Sequence, residues 1–331
     1  MDTVRVFRGS VLLVLVALAI WPAPAAGQVF RDYDWFEPLV AEQRAARIAV
    51  NFGGTDAFEF SIEPGRRFVW DIHLGRELPM IAYVAAENPG MFRTGEWGVG
   101  LWAPVGFHMI EDFKDASNPI INTDYRFGTM LKFRYALAQE RWIQARFVPW
   151  AHESTHLGDE FSLTAQQTFP QFERINVSYE YWEYSVGLET PRWSVRHGGL
   201  RPWGKDGYYS DHLLEPSGRQ IPTSHSNFEP SFGGEYRHPH GDGSWSPFVS
   251  AEARHRILYD YRKPSSSTPE ERQWSTTLAA GIRTAPASHT PATMALSEIY
   301  VRFYHGVNPH GQLRNQRDYT MFGVGFNFRV K

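Results

Sequence analysis

"NTDYRFGTMLKFRYAL", residues 122–137, decides the fold. Tyr125, Phe127, Leu131, Phe133 and Tyr135 share one parity, and Asp124, Arg126, Lys132 and Arg134 share the other. A period of two belongs to a β-strand with two unlike faces, not to a helix. The contrast recurs along the chain. "EWGVGLWAPVGFHM" (96–109) sets Trp97, Val99, Leu101, Val105 and Phe107 against Gly98, Gly100, Trp102 and His108. "PFVSAEARHR" (247–256) sets Val249, Ala251 and Ala253 against Ser250, Glu252, Arg254 and Arg256. "SEIYVRFYHG" (297–306) and "YTMFGVGFNFRVK" (319–331) repeat it, with Val301, Phe303, Phe322 and Val324 on the apolar side.

A sandwich would bury the apolar faces, whereas a membrane barrel turns them to lipid. Two features favour the barrel. The strands run to roughly ten to sixteen residues, which suits a tilted membrane-spanning strand. The connections also alternate in length. "AQER" (138–141), "ETPR" (189–192) and "PHGDG" (239–243) are short; "LGDEFSLTAQQTF" (157–169), "KDGYYSDHLLEPSGRQIPTSHSN" (205–227) and "YDYRKPSSSTPEER" (259–272) are long. Short turns on one side and long loops on the other are the pattern of an outer-membrane barrel. The sequence therefore predicts an all-β, closed antiparallel transmembrane barrel of about twelve strands. The count starts at Arg67 and reads "RFVWDIHLGRELPMIAYVA" (67–85) as a hairpin.

Composition agrees. Aromatic residues make up 15% of the chain, with 12 Trp and 15 Tyr, enough for belts at two membrane interfaces. There is no Cys, so a large core or a closed sheet, not disulfides, must hold an exported chain together. The net charge of −3 gives no basic surface for nucleic acid. Residues 1–26 read as a cleavable signal peptide: Arg5 and Arg8, the short apolar run "SVLLVLVALAIW", then "PAPAAGQ". Residues 27–66 form an N-terminal periplasmic or plug-like segment, in which "EPLVAEQRAARIAV" (37–50) is expected as a short helix, and residues 67–331 form the barrel.

The chemistry-bearing stretch is "HESTHLGDEF" (152–161), at the end of the strand "WIQARFVPWAHESTH" (142–156). Gln144 and Arg146 are costly against lipid, so their parity should face the lumen. That parity takes His152, Ser154 and His156 inward as well, unless a bulge at Pro149 reverses it. In the following stretch, Arg174, Asn176, Ser178 and Glu180 are expected to face inward and Tyr179 and Tyr181 outward. The lumen would then carry a polar cluster of Arg146, His152, Ser154, His156, Arg174, Asn176 and Glu180. No metal is expected here, because residues i and i+4 of a strand lie about 13 Å apart, too far for His152 and His156 to share an ion. No cofactor is implied. Hydrolysis is the alternative, with Ser154 as nucleophile, His152 as base and Asn176 orienting the imidazole. These three residues resemble the His-x-Ser plus Asn site of outer-membrane phospholipase A and the His-x-Ser of lipid A 3-O-deacylases. In those enzymes the pair faces lipid. The inward parity expected here therefore favours a channel, binding or structural barrel over an acyl hydrolase.

"HESTHLGDEF", "RINVSYEYWEYSVG" (174–187), "NTDYRFGTMLKFRYAL" and "YHGVNPHGQLRN" (304–315) together resemble a bacterial outer-membrane barrel family, domain of unknown function 1207. The resemblance implies a Gram-negative outer-membrane location with no assigned activity. It also implies contact with outer-membrane lipids and lipopolysaccharide, and with the barrel-assembly machinery during insertion. "NPHGQLRN" itself reads as a turn, with His310, Gln312 and Arg314 as candidate binding residues. The topology brings it to the same extracellular rim as "HESTHLGDE".

Overall fold

The computed structural model describes residues 28–29, 35–58, 65–86, 92–113, 118–169, 177–202, 228–239, 245–258, 271–284, 294–314 and 316–330. The expected signal peptide falls outside them. Twelve strands form one antiparallel sheet: β1 (Ile48–Thr55), β2 (Arg67–Ala85), β3 (Trp97–Asp112), β4 (Ile120–Ala138), β5 (Arg141–Leu157), β6 (Val177–Glu189), β7 (Trp193–Pro202), β8 (Glu229–Arg237), β9 (Trp245–Ile257), β10 (Arg272–Thr284), β11 (Met294–Gly306) and β12 (Tyr319–Val330). Each pairs with the next, and β12 pairs back onto β1 with Val324 opposite Phe52. The sheet is thereby closed. The two-residue bridge Gln28–Val29 pairs with Ala82 and Ile81 of β2, beyond the end of β1.

Three expectations are corrected. Residues 67–85 are one strand with a register shift between Pro79 and Ile81, not a hairpin. The twelfth strand is β1, so the barrel begins at Ile48 and not at Arg67. Residues 37–47 form turns and not a helix: the N–H groups of Val40, Ala41 and Gln43 go to barrel-wall side chains, and the segment's own bonds are i to i−3 turns such as Glu42 N–H to the Leu39 carbonyl. Within the connection after β5, a helix α1 (Asp159–Thr168) replaces a plain loop, with Asp159 and Glu160 in the first turn, where the helix dipole favours negative charge.

The strand faces follow the alternation of the sequence. Val249, Phe232, Phe322 and Tyr125 are exposed on the outer wall, while Ser250, Glu252, Arg254 and Arg302 are buried inside. Exposed aromatics gather near both ends: Trp193, Tyr236 and Trp245 by the short turns, and Phe68, Tyr125 and Trp274 by the long loops. These are the belts that the composition anticipates.

The lumen is filled from within. Residues 35–47 run through it, and wall side chains satisfy their backbone. The N–H of Val40 donates to Glu235 Oε2 at 2.8 Å, that of Ala41 to Ser250 Oγ at 3.0 Å, and that of Gln43 to Glu252 Oε2 at 3.1 Å. Trp35 packs edge-on against Trp102 of β3, with centroids 5.6 Å apart. Only glycine at position 98 permits this, because a Cβ there would lie 2.6 Å from the Trp35 ring. Glu42 pairs with Arg146 and approaches Arg196 to 3.6 Å, and Arg146 in turn lies 3.9 Å from Glu183. Arg254 joins Glu183 and Glu252 at 3.3 Å each. Buried charges tolerate a low-dielectric site only in such cross-paired sets.

Burial acts to raise the pKa of Glu42, but the Arg146 and Arg196 guanidiniums outweigh it and bring the value down to about 2. A carboxyl with a lower pKa in the folded state contributes stability above its unfolded value of 4.5, and that contribution is lost as pH falls toward 2. The unfolding midpoint of the folded barrel in denaturant should therefore fall between about pH 4.5 and 2. Glu42→Gln should flatten that fall, and equal slopes in the two proteins would contradict the assignment. Arg146→Met removes the cation shared by Glu42 and Glu183, and should lower the unfolding free energy by roughly 3–5 kcal/mol.

Candidate functional site

Pro149 decides which way the site faces. Proline has no N–H to give to a ladder and settles at bulges. Against β4, Thr129 pairs with Trp150 but Leu131 pairs with Phe147, so Val148 and Pro149 oppose the single residue Met130. Against β6, Val148 pairs with Glu183 but Ala151 pairs with Tyr181. One residue too many on β5 reverses the parity of everything above it. Below the bulge, Gln144, Arg146 and Val148 are buried inside; above it, Ala151, Glu153, Thr155 and Leu157 are.

His152, Ser154 and His156 therefore leave the lumen, and the inward placement expected from Gln144 and Arg146 is corrected. They stand on the outer wall between Phe127 and Tyr125 of β4, both about half exposed. The His152 ring lies 5.3 Å from Phe127 and the His156 ring 6.0 Å from Tyr125. On the other side, Ser178 and Glu180 of β6 also face out, opposite Ser154 and His152. Tyr179 and Tyr181 face in, again the reverse of the expectation. The reason is the lumen segment: the Tyr179 hydroxyl donates to Glu153 Oε1 at 2.6 Å, and the Arg44 guanidinium lies 4.8 Å over the Tyr181 ring while also pairing with Glu153. Of the expected polar cluster only Arg146 is inside; Arg174 and Asn176 lie outside the described residues.

The outer-wall residues form two serine–histidine pairs. Ser154 Oγ is 3.0 Å from His156 Nε2, and Ser178 Oγ is 3.0 Å from His152 Nε2. The pairing differs from the sequence expectation, in which His152 serves Ser154. Sequence reasoning missed Ser178 as a partner because it assigned β6 the opposite face. With Nε2 unprotonated, each imidazole accepts the hydroxyl proton, as a general base does. An apolar band about 25 Å tall takes up roughly ten residues of a tilted strand. Counted upward from Ile143, it ends near His152, so Ser154 and His156 stand at head-group height. The exposed Glu180 carboxylate beside His152 agrees with a level above the hydrocarbon.

The second motif, "NPHGQLR", turns into the lumen instead of ending at a surface turn. Val307, Asn308 and His310 are fully buried, and a 3-10 turn follows at Gly311–Leu313. Gly311 N–H donates to both Asp124 carboxylate oxygens at 3.3 Å, and Arg314 pairs with Glu229 of β8. The two motifs meet here. A Cβ at Gly311 would lie 2.7 Å from Thr155 of β5, so only glycine fits the approach. The lumen also retains cavities of about 180 Å³ and about 60 Å³, the first beside Glu37 and Arg47 and the second beside His73, His108 and Asp124.

A closed, twelve-stranded barrel with an apolar outer wall and a charged, occupied lumen is a barrel of the outer-membrane type. The chain belongs to the family described as protein of unknown function (DUF1207), whose model matches residues 24–328. No curated protein matches it. Among solved structures it is similar to an active-site mutant of outer membrane phospholipase A from Escherichia coli, at 13% identity over 91% of this chain and 95% of that one, with a TM-score of 0.51. A second structure of the same E. coli protein gives 12% identity over the same shares and a TM-score of 0.49. The transport unit of the autotransporter AIDA-I from E. coli gives 11% identity over 90% and 94%, with a TM-score of 0.43. At these identities the likeness is one of fold.

The bulge makes a labelling prediction. In membranes, cysteines placed at Phe147 and Ser154 should react from the outer wall: Phe147 with lipid-phase reagents and Ser154 with reagents that reach the head-group layer. Cysteines at Arg146 and Glu153 should be protected from both. An unbroken even–odd pattern from 144 to 156 would remove the bulge.

Proposed function

We propose that the protein is a serine acyl hydrolase of outer-membrane lipids that works from its outer wall, with Ser154 as nucleophile and His156 as base. The observation that carries the reading is the 3.0 Å approach of Ser154 Oγ to His156 Nε2 on the outer wall, at a level that a band about 25 Å tall puts near the head groups. Lipid ester carbonyls lie at that depth. The Ser154 hydroxyl attacks the carbonyl carbon while His156 Nε2 takes its proton. The imidazolium then returns the proton to the departing alcohol, leaving an acyl-serine. Water, deprotonated by the same nitrogen, then attacks the acyl-serine carbonyl, and the imidazolium returns that proton to Ser154 Oγ as the ester bond breaks and the fatty acid leaves.

Two further observations support this over conduction. Residues 35–47 and residues 307–314 occupy the lumen, and its charged side chains pair across what remains. The barrel also shares its fold with a phospholipase of the outer membrane. The inward parity that favours a channel in the sequence does not hold above Pro149.

The test is fatty-acid release by purified, folded protein from phospholipid and from acylated lipid A, together with covalent labelling by a sulfonyl fluoride. Wild type should turn over at least one substrate and label at Ser154. Ser154→Ala should lose both activities while keeping its heat-modifiable migration. His156→Ala should slow turnover roughly 10²–10⁴-fold, and Ser178→Ala should retain it. Folded wild type that neither labels nor releases fatty acid from either lipid would overturn the proposal.

A further inference from the structure

Inside the barrel, under the long-loop end, stands a second constellation that the outer wall does not use. Asp71 of β2, His108 of β3 and His310 of the loop after β11 each aim one ligand atom at a common point, with those atoms all within 4.8 Å of one another. Three separate elements converge there. The His73 ring stacks on His108 with centroids 3.9 Å apart, and its Nε2 lies 3.2 Å from Asp71 Oδ1.

His310 is the telling residue. Its ring is fully buried, and neither ring nitrogen has a hydrogen-bond partner. A buried imidazole without partners costs free energy, and native structures rarely leave one so. A neutral imidazole in that place keeps a ring nitrogen whose lone pair is free to donate. The surroundings complete the arrangement. Asp71 Oδ2 accepts from Arg302 at 3.2 Å and from Asn51 at 3.3 Å, which leaves Oδ1 toward the histidines. Asp124 Oδ2 lies 3.9 Å from His108 Nδ1, behind the ring, where a carboxylate orients a metal-binding histidine. The same carboxylate accepts the Gly311 N–H and so fixes the backbone next to His310.

The geometry points to a divalent transition-metal site of the zinc class, ligated by Asp71 Oδ1, His108 Nε2 and a ring nitrogen of His310. Two imidazoles and one carboxylate suit Zn²⁺, whereas Ca²⁺ and Mg²⁺ call for oxygen donors throughout. Asp71 Oδ1 and His108 Nε2 hydrogen-bond to each other, so an ion would replace that bond, parting the two atoms while the longest separation closes by roughly 1.4 Å, to reach the spacing of ligands about 2.1 Å from one centre. A metal there would pin the inward-turned loop to the barrel wall and supply His310 with its missing partner.

The test uses untagged, full-length protein, folded in detergent, stripped with chelator and confirmed folded by heat-modifiable migration. After incubation with zinc and gel filtration, elemental analysis should find one equivalent per chain, and zinc should raise the melting temperature. Cobalt in its place should give the visible absorption of a low-coordinate N/O site. His310→Gln and His108→Gln should each lose the equivalent and the melting shift. Asp124→Asn should weaken zinc binding roughly 10–100-fold. The double variant His152→Ala/His156→Ala, on the outer wall, should bind as wild type does. Folded wild type that retains no zinc overturns the site. So does zinc binding that survives in His310→Gln, or that is lost only in the outer-wall variant. Should either glutamine variant not fold, the wild-type equivalent and cobalt spectrum decide with the other.

Discussion

Glu42, Arg146, Glu183 and Arg254 form a chain of alternating charge across the lumen, and the rest of the barrel is arranged around the need for it. A sheet that turns its apolar side to lipid must put its charged side inward. Water cannot solvate that many guanidiniums and carboxylates once the interior is narrow, so each has to meet an opposite charge or a backbone dipole. Twelve strands do not supply enough partners by themselves. Residues 35–47 supply the remainder: Glu42 for two arginines, Arg44 for Glu153, and bare N–H groups for Glu235, Ser250 and Glu252. The segment is less a stopper placed in a pore than a missing layer of the core.

That dependence explains which parts of the fold are legible in the sequence. Where a strand meets lipid on one side and charge on the other, as β4, β9 and β11 do, the alternation is unambiguous and the faces are as read. It misleads where the interior is not simply polar. Tyr179 and Tyr181 look like lipid-facing residues, yet they turn inward because Arg44 and Glu153 wait for them. No periodicity announces a cation delivered from 135 positions away. β1 is hard to read in the sequence for a related reason. "IAVNFGGT" is short and glycine-rich, and it follows directly on a segment that folds inside. The long β2 then passed for two strands, which restored the count while misplacing the barrel's beginning.

The outer-wall cluster shows how one residue type can govern a site without belonging to it. His152, Ser154 and His156 carry no information about their own orientation, which Pro149 sets by adding a residue to β5 that neither neighbour matches. The sequence shows the proline plainly, but it does not show whether the ladder absorbs it by a bulge or by ending. The lumen histidines were less visible still. Asp71, His108 and His310 are separated by tens to hundreds of residues and lie on a strand pair and a loop whose inward turn depends on Gly311 fitting against Thr155.

The lumen segment also dictates an order of events. Val40 meets Glu235 across 195 positions of sequence, and Ala41 meets Ser250 across 209. A stretch that leaves the assembly line first therefore finds its seats only on strands that arrive late. Until β8 and β9 are in place, the backbone N–H groups of Val40, Ala41 and Gln43 lack their seats on Glu235, Ser250 and Glu252. Contacts of such long range are slow to form, because the chain entropy of closing the intervening loop is lost before they repay it. Seating residues 40–43 on β8 and β9 thus belongs with the long-range closures of this barrel, separate from the neighbour-to-neighbour pairing that builds its wall.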